Sequence, residues 1–261
     1  MNLGLDDRRA LVCGASRGIG RAVALALAEL GADVLAVARD EAALDETLNA
    51  MPRQGGRSHQ AIVLDLKNGE AVSARMEALV AEAPVSIIIN NTGGPPAGLA
   101  IDAGPEQFEA AFAQHLLAAQ RIARALVPGM KTAGYGRIVN IISTSVKEPI
   151  PGLGVSNTIR GAMASWAKTL ARELGPSGIT VNNVLPGFTA TERLDYIFQG
   201  RAEKSGQTVE AVREQALSQV PAGRFAEPAE IAGAVAFLAS PAAAYVNGIN
   251  LPVDGGRTGS L

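Results

Sequence analysis

The segment from Leu11 to Gly20, LVCGASRGIG, is the feature that most restricts how this chain can fold. A short apolar run leads directly into a loop with glycines at positions 14, 18 and 20, and the pattern that follows is helical. Glycines at this spacing leave backbone N–H groups free to face a diphosphate, and the positive end of the next helix points toward it. The segment therefore predicts a strand–loop–helix unit that binds a nucleotide.

Strand-like and helix-like segments alternate along the whole chain. We predict strands at residues 10–13, 33–38, 61–64, 85–90, 137–142 and 179–184, and helices at 19–30, 41–50, 70–83, 105–130 and 155–174. Continuous apolar strands separated by helices are typical of a parallel sheet that is covered on both faces. The prediction is an α/β fold in one domain, residues 1–261: a doubly wound, Rossmann-type sheet of about seven strands, which binds ligands at the carboxyl ends of its strands.

Composition narrows the possible functions. With 48% hydrophobic and 18% charged residues, the chain can bury a large core. A net charge of −2 gives no electrostatic reason to expect binding to nucleic acid or to an anionic membrane, and the most apolar stretches are interrupted by charges. One cysteine and two histidines provide no metal cluster and no internal disulfide, so we expect a reducing, cytoplasmic location.

Residues 189–223 form the one long polar stretch without a clear strand or helix pattern. A segment of this length inside an α/β domain is usually functional, so we predict a lid-like excursion near the substrate.

The residues at the end of the second predicted strand favour NADP over NAD. NAD-selective folds place a carboxylate there for the ribose hydroxyls, whereas this chain has Ala38 followed by Arg39. The glycine loop adds Arg17, and two guanidinium groups suit the 2′-phosphate of NADP. Each arginine alone could be a solvated surface charge, and NAD stays an alternative.

Further motifs resemble the short-chain dehydrogenase/reductase family over nearly the whole chain. CGASRGIG is similar to the family's cofactor loop, NNTG at 90–93 to its NNAG segment, and GRIVNIIS at 136–143 to the strand that ends in its catalytic serine. The C-terminal segments PAGRFAEPAEIAGAVAFLAS and VNGINLPVDGG resemble those of 3-oxoacyl-[acyl-carrier-protein] reductases. Together with the two arginines, the resemblance implies cofactor contacts from Gly14, Ser16, Arg17, Gly18, Ile19, Gly20, Arg39, Asp65, Leu66, Asn91, Thr92, Gly93, Arg160, Pro186, Gly187 and Thr191.

The catalytic positions depart from the family pattern of Asn, Ser, Tyr and Lys. The resemblance keeps the serine as Ser143, but the tyrosine position is Ser156, the lysine position is Arg160, and the asparagine position is His115. A serine hydroxyl is far less acidic than a phenol, and arginine does not release its proton. We hypothesise that carbonyl reduction survives, with water or a substitute acid delivering the proton. His115 is the first candidate acid and Lys147 the second, although a packing histidine and a solvated lysine are the commoner fates.

Two functions follow. The first is an NADP-dependent oxidoreductase that interconverts a ketone, such as a 3-oxoacyl thioester, and a secondary alcohol. The alternative is an NADP(H)-binding sensor or partner subunit with little redox activity, which the loss of tyrosine and lysine would suit. The small-residue helices of the family commonly pair between subunits, so the resemblance also implies a homo-oligomer, either a dimer or a tetramer.

Overall fold

Across residues 1–53 and 56–260, the part of the chain that the computed structural model describes, the strands form one seven-stranded parallel sheet. Its strands are β1 (Arg9–Cys13), β2 (Asp33–Ala38), β3 (Gln60–Val63), β4 (Ile87–Asn90), β5 (Gly136–Ile141), β6 (Ile179–Pro186) and β7 (Asn250–Val253). The spatial order is β3-β2-β1-β4-β5-β6-β7. The order reverses between β1 and β4, which is where a doubly wound sheet opens a crevice for a ligand.

Helices cover both faces of the sheet. They are α1 (Gly18–Glu29), α2 (Glu41–Asn49), α3 (Gly69–Glu82), α4 (Pro105–Phe112), α5 (Ala118–Ala133), α6 (Gly154–Leu174), α7 (Glu192–Ser205), α8 (Val209–Leu217) and α9 (Pro228–Ala239). Helices α1, α2 and α9 pack on one face, and α3, α5 and α6 pack on the other. The strands alternate accordingly, since Val12 of β1 packs on the first face and Leu11 on the second.

The predicted fold class is confirmed, and two segments differ in detail from the sequence prediction. The helix predicted at 105–130 is α4 and α5 joined by a π-helical turn, Ala113–Leu117, which contains His115. The polar stretch 189–223 is mostly helical, because α7 and α8 bury their own apolar cluster around Phe198 and Val212. Residues 54, 55 and 261 of the predicted domain lie outside the described part of the chain.

Gly14 and Gly20 are required because the loop that follows β1 lies very close to the loop that follows β4. Gly14 has a φ of +65°, and a Cβ there would lie 2.6 Å from Nδ2 of Asn91. A Cβ on Gly20 would collide with the carbonyl oxygen of Gly14. No side chain fits at either position, so α1 starts directly against the loop that follows β1.

A row of four asparagines, three buried and Asn250 half-buried, crosses the sheet from β4 to β7. Nδ2 of Asn90 donates to Oδ1 of Asn140, Asn140 donates to Asn183, and Asn183 donates to Asn250, each at 2.8 Å. These residues are paired in the strand register, so one side-chain amide bridges each adjacent pair of strands. An unpaired buried amide costs about 1–3 kcal/mol, so the row stabilises this register against any slip.

We expect Asn183→Leu to lower the free energy of unfolding by about 2–4 kcal/mol, because it leaves the buried Nδ2 of Asn140 and the half-buried Oδ1 of Asn250 without their partners. Urea denaturation followed by circular dichroism measures the loss. Thr180→Val is the matched control in the same strand, since the buried Thr180 hydroxyl already has no partner, and it should change stability by less than about 0.5 kcal/mol. Equal stability of the two variants would contradict the role given to the asparagine row.

Candidate active site

An open cleft of about 930 Å³ lies at the carboxyl ends of the strands. Its lining runs from the ends of β1, β2 and β3, past the loop after β4, to the ends of β5 and β6 and the inner side of α7. A cleft of this volume accommodates a drug-sized molecule or a cofactor. It is therefore the candidate active site.

The glycine loop forms one end of the cleft. Gly14, Ser16, Gly18 and Ile19 line it, and α1 begins at Gly18 with no side chain capping its first turn. The N–H groups of that turn carry the positive end of the helix dipole, so this end of the cleft is suited to a diphosphate. Gly20 does not line the cleft, and its buried position is explained by packing against Gly14.

The arginine pair predicted to select NADP lies at this end, with a carboxylate that the sequence analysis did not count. Arg17 donates to Oδ2 of Asp40 at 2.8 Å and to Oε2 of Glu192 at 3.3 Å. Asp40 is also the N-cap of α2, where its side chain accepts a hydrogen bond from the backbone N–H of Ala43. This bond, together with Arg17, holds the pKa of the Asp40 carboxyl below the ordinary value. Arg39 is exposed on the cleft lining, and none of the ion pairs between described residues involves it.

The remaining predicted cofactor contacts continue along the same cleft. The loop after β4 is held to the glycine loop, since Nδ2 of Asn91 donates to the carbonyl of Gly14 at 3.4 Å. Thr191 caps the start of α7. The structure brings to the lining, besides the residues already placed, Asp65, Leu66, Asn91, Thr92, Gly93, Pro186, Gly187 and Thr191.

Ser143, Ser156 and Arg160 all line the cleft, on the side of β5 and α6. Ser143 follows β5, and its Oγ accepts a hydrogen bond from the backbone N–H of Ser145 at 3.1 Å, which leaves its hydroxyl proton to be donated elsewhere. Ser156 and Arg160 are four residues apart on α6, so they share one face of that helix.

Arg160 is a buried cation. It is 7% exposed and donates to the carbonyl of Ile141 at 3.3 Å. Burial, reinforced by the positive charge of Arg193, lowers the pKa of Arg160 to about 10. The guanidinium group therefore stays charged at neutral pH and presents a fixed positive charge to the cleft.

His115 does not line the open cleft. It borders a small enclosed cavity of about 10 Å³ together with Cys13, Thr92 and Arg160. Its Nδ1 shares a hydrogen bond with the Thr92 hydroxyl, and its buried Nε2 has no partner among the described residues. Burial first, and then the charge of Arg160, lowers the pKa of His115 to about 3. An imidazole that is neutral at working pH has no proton to give as an imidazolium, which argues against His115 as the substitute acid.

The cleft lining that the structure describes contains neither a tyrosine nor a lysine. Tyr135 donates to the carbonyl of Ala239 at 2.9 Å, and Tyr196 and Tyr245 are exposed. Lys147 also lies outside the lining. Lys147 as a substitute acid stays a prediction.

Three arginines of the lining were missed by the sequence analysis: Arg193 and Arg201 of α7, and Arg257 of the C-terminal tail. A signal for the first two was available, because positions 193, 197 and 201 repeat at helical spacing in a segment predicted to be a lid. Arg257 follows the last strand and reaches the cleft only through the path of the tail.

The chain is similar to known reductases over nearly its whole length. Residues 14–258 match a family model described as Enoyl-(Acyl carrier protein) reductase. The chain is 35% identical over 257 residues to the 3-oxoacyl-[acyl-carrier-protein] reductase FabG of Vibrio cholerae, covering 97% of this chain and 98% of the relative. It is also 35% identical over 251 residues to the short-chain reductase protein NovJ of Streptomyces niveus, covering 95% of this chain and 93% of the relative.

Solved structures agree with this comparison. The L-sorbose reductase of Gluconobacter frateurii, complexed with NADPH and L-sorbose, superposes with a TM-score of 0.92 at 29% identity and full coverage of both chains, each 100%. YwfH, an NADPH-dependent reductase involved in bacilysin biosynthesis, superposes with a TM-score of 0.91 at 27% identity, covering 97% of this chain and 99% of the other.

Among the described residues, no helix has the length and apolar character that a membrane crossing requires.

We expect the His115 imidazole to remain neutral throughout the range of about pH 5 to 8, because burial and Arg160 oppose its protonation. Proton NMR of the imidazole signals as a function of pH measures this, and His115→Gln identifies the signal by its loss. A transition near the ordinary value of 6.5 would contradict the burial argument and return His115 to the role of acid.

Proposed function

Because the chain belongs to the short-chain dehydrogenase/reductase family, we propose that it is an NADP-dependent oxidoreductase that interconverts a ketone and a secondary alcohol by hydride transfer. The observation that carries the proposal is that Ser143, Ser156 and Arg160 line the same cleft as the glycine loop. A hydroxyl donor and a fixed cation at one end and a diphosphate site at the other suit a carbonyl group and a dinucleotide.

The chain's own residues fit a dinucleotide. Gly14 and Gly18 keep side chains away from the loop, and the uncapped first turn of α1 offers N–H groups to the diphosphate. Asp65 and Leu66 would hold the adenine end, whereas Asn91, Pro186, Gly187 and Thr191 would hold the nicotinamide end. When bound, NADPH supplies the hydride.

Arg39 supports the choice of NADP over NAD. Arg17 and Asp40 bind each other, so the carboxylate of Asp40 is already used by a cation and by the α2 N-terminus. Arg39 remains exposed beside them on the lining and can form charge-assisted bonds to a 2′-phosphate. NADPH is bound by the related L-sorbose reductase as well.

The second end of the cleft would stabilise the negative charge that develops on the carbonyl oxygen. Ser143 has a hydroxyl proton to donate, because its oxygen already accepts from Ser145. Arg160 adds a fixed positive charge in buried surroundings, where electrostatic stabilisation is stronger than in water. Ser156, one helical turn before Arg160, supplies a second hydroxyl on the same face.

The final proton would come from water in the cleft. Arg160 does not release a proton, and His115 is neutral and does not reach the open cleft. The cleft is open, so water reaches the oxygen directly or through the Ser156 hydroxyl. A homo-oligomer and a cytoplasmic location stay predictions.

We expect Arg39→Ala to weaken NADPH binding about tenfold or more and to leave NADH binding unchanged, because only NADPH carries the 2′-phosphate. Fluorescence titration with both nucleotides measures the two dissociation constants. Arg53→Ala, which removes an exposed arginine outside the cleft, is the control. An equal effect of Arg39→Ala on both nucleotides would contradict the assignment.

We expect Ser143→Ala to lower kcat/KM for carbonyl reduction about 10²-fold, with NADPH affinity unchanged, because one donor to the developing oxyanion is lost. Substrate-dependent NADPH oxidation measures it against a panel of ketones and 3-oxoacyl thioesters. Ser145→Ala is the matched control, since it removes a neighbouring hydroxyl while keeping the backbone N–H that binds Ser143. Equal turnover by wild type and Ser143→Ala would contradict the mechanism, and no turnover from nucleotide-loaded protein would favour a binding role.

A further inference from the structure

The substrate end of the cleft carries more positive charge than hydride transfer to a ketone requires. Besides Arg160, the guanidinium groups of Arg193, Arg201 and Arg257 line it. The geometry points to an anionic substrate: a ketone that also bears a carboxylate or a phosphate ester, held by these arginines while its carbonyl group faces Ser143. This inference rests on the proposed function and names the substrate class of the same site.

The first two arginines, Arg193 of α7 and Arg160 of α6, lie close together. A methyl group on Gly94 would lie 3.7 Å from Nη2 of Arg193 and 3.8 Å from Nη2 of Arg160, so both guanidinium groups border the same point of the cleft. Arg193 is held there by the carbonyls of Gly94 and Pro95, at 3.5 and 3.1 Å. Neither bond neutralises its charge.

The other two arginines, Arg201 of α7 and Arg257 of the C-terminal tail, also lie near each other. Arg201 is two helical turns beyond Arg193 on α7 and is half-buried, and burial, followed by the nearby charge of Arg257, lowers its pKa. Arg257 donates to the Thr144 hydroxyl at 3.3 Å and lies over the ring of Phe188. It is therefore beside the residue that follows Ser143, and its buried Nε has no partner among the described residues.

The tail that delivers Arg257 is anchored on both sides of it. The Asp254 carboxylate accepts from the N–H groups of Gly256 and Thr258, and Oε1 of Glu148 accepts from those of Gly259 and Ser260. Arg257 is thus positioned by the fold and not left as a mobile surface charge.

Within the described part of the chain, no acid of the cleft lining forms an ion pair with these arginines. None of the ion pairs between described residues involves Arg160, Arg193, Arg201 or Arg257. The acids of the described lining are Asp40 and Glu192, which both bind Arg17, and Asp65, which accepts from the backbone of Lys67. Like charges that converge without a counter-ion repel each other, and a bound anion would relieve that repulsion.

The arrangement favours a small anion over the other sources of negative charge. The diphosphate and 2′-phosphate of the cofactor have their own binding groups at the opposite end, around α1 and Arg39. An acidic carrier protein would need an exposed surface, whereas Arg201 and Arg257 are half-buried on the lining. A guanidinium fork matches a carboxylate or phosphate in two parallel hydrogen bonds.

Binding to protein saturated with NADP⁺, which has no hydride to donate, tests the inference independently of turnover. Calorimetry compares each charged ketone with its neutral partner: pyruvate with methyl pyruvate, levulinate with methyl levulinate, and dihydroxyacetone phosphate with dihydroxyacetone. We expect a charged ketone to bind about tenfold or more tightly than its neutral partner, and the better of the carboxylate and phosphate series identifies the anion.

Arg201→Gln and Arg257→Gln should each reduce that preference about tenfold, with NADP⁺ affinity unchanged. Lys204→Gln is the control, since it removes one positive charge from an exposed position of the same helix. Equal binding of charged and neutral partners by wild type, no binding of either, or tighter binding of the neutral N-acetylcysteamine thioester of acetoacetate would overturn the inference. Loss of NADPH oxidation with the charge preference intact would instead count against the proposed function alone.

Discussion

The close approach of the glycine loop to the loop after β4 is the constraint on which the cleft depends. Gly14 and Gly20 have no room for a side chain, and Asn91 ties the two loops together. This contact brings the start of α1 to the point where the strand order reverses. A single Cβ at either glycine would move the helix away from the sheet, and the diphosphate site would lose its donors. The diphosphate site is thus built from backbone groups, and it depends on the absence of side chains at Gly14 and Gly20.

The catalytic end is built in the opposite way, from charged side chains in buried surroundings. Arg160 places a permanent cation under the cleft, and the same cation helps to hold His115 neutral. A site of this kind is suited to stabilising an oxyanion and poorly suited to delivering a proton. In the proposed mechanism, water that enters the open cleft supplies the proton that the site lacks.

The sequence was sufficient for the fold, because its elements are encoded locally, and the predicted cofactor contacts other than Gly20 do line the cleft. Strand–helix alternation and glycine spacing depend on neighbours in the chain, and a one-residue shift at strand ends changes nothing in the site. Asp40 was overlooked because its pairing with Arg17 joins two loops. The pKa of His115 depends on burial and on Arg160, and neither can be read from a histidine on an alanine-rich helix. Arg257 reaches the site through the fold of the tail, which no local pattern reveals.

The asparagine row also links the strands that lead to the two halves of the cleft. The two central amides, Asn140 and Asn183, each donate toward β7 and accept from the β4 side, so reversing either one would set nitrogen against nitrogen and oxygen against oxygen at its neighbours. The four residues therefore share a single orientation and behave as one cooperative unit. Strand β7, which leads into the tail with Arg257, and strand β4, which leads into the loop with Asn91, are held by the same unit. A change that loosens β7 would therefore also loosen β4 and the loop with Asn91 that follows it.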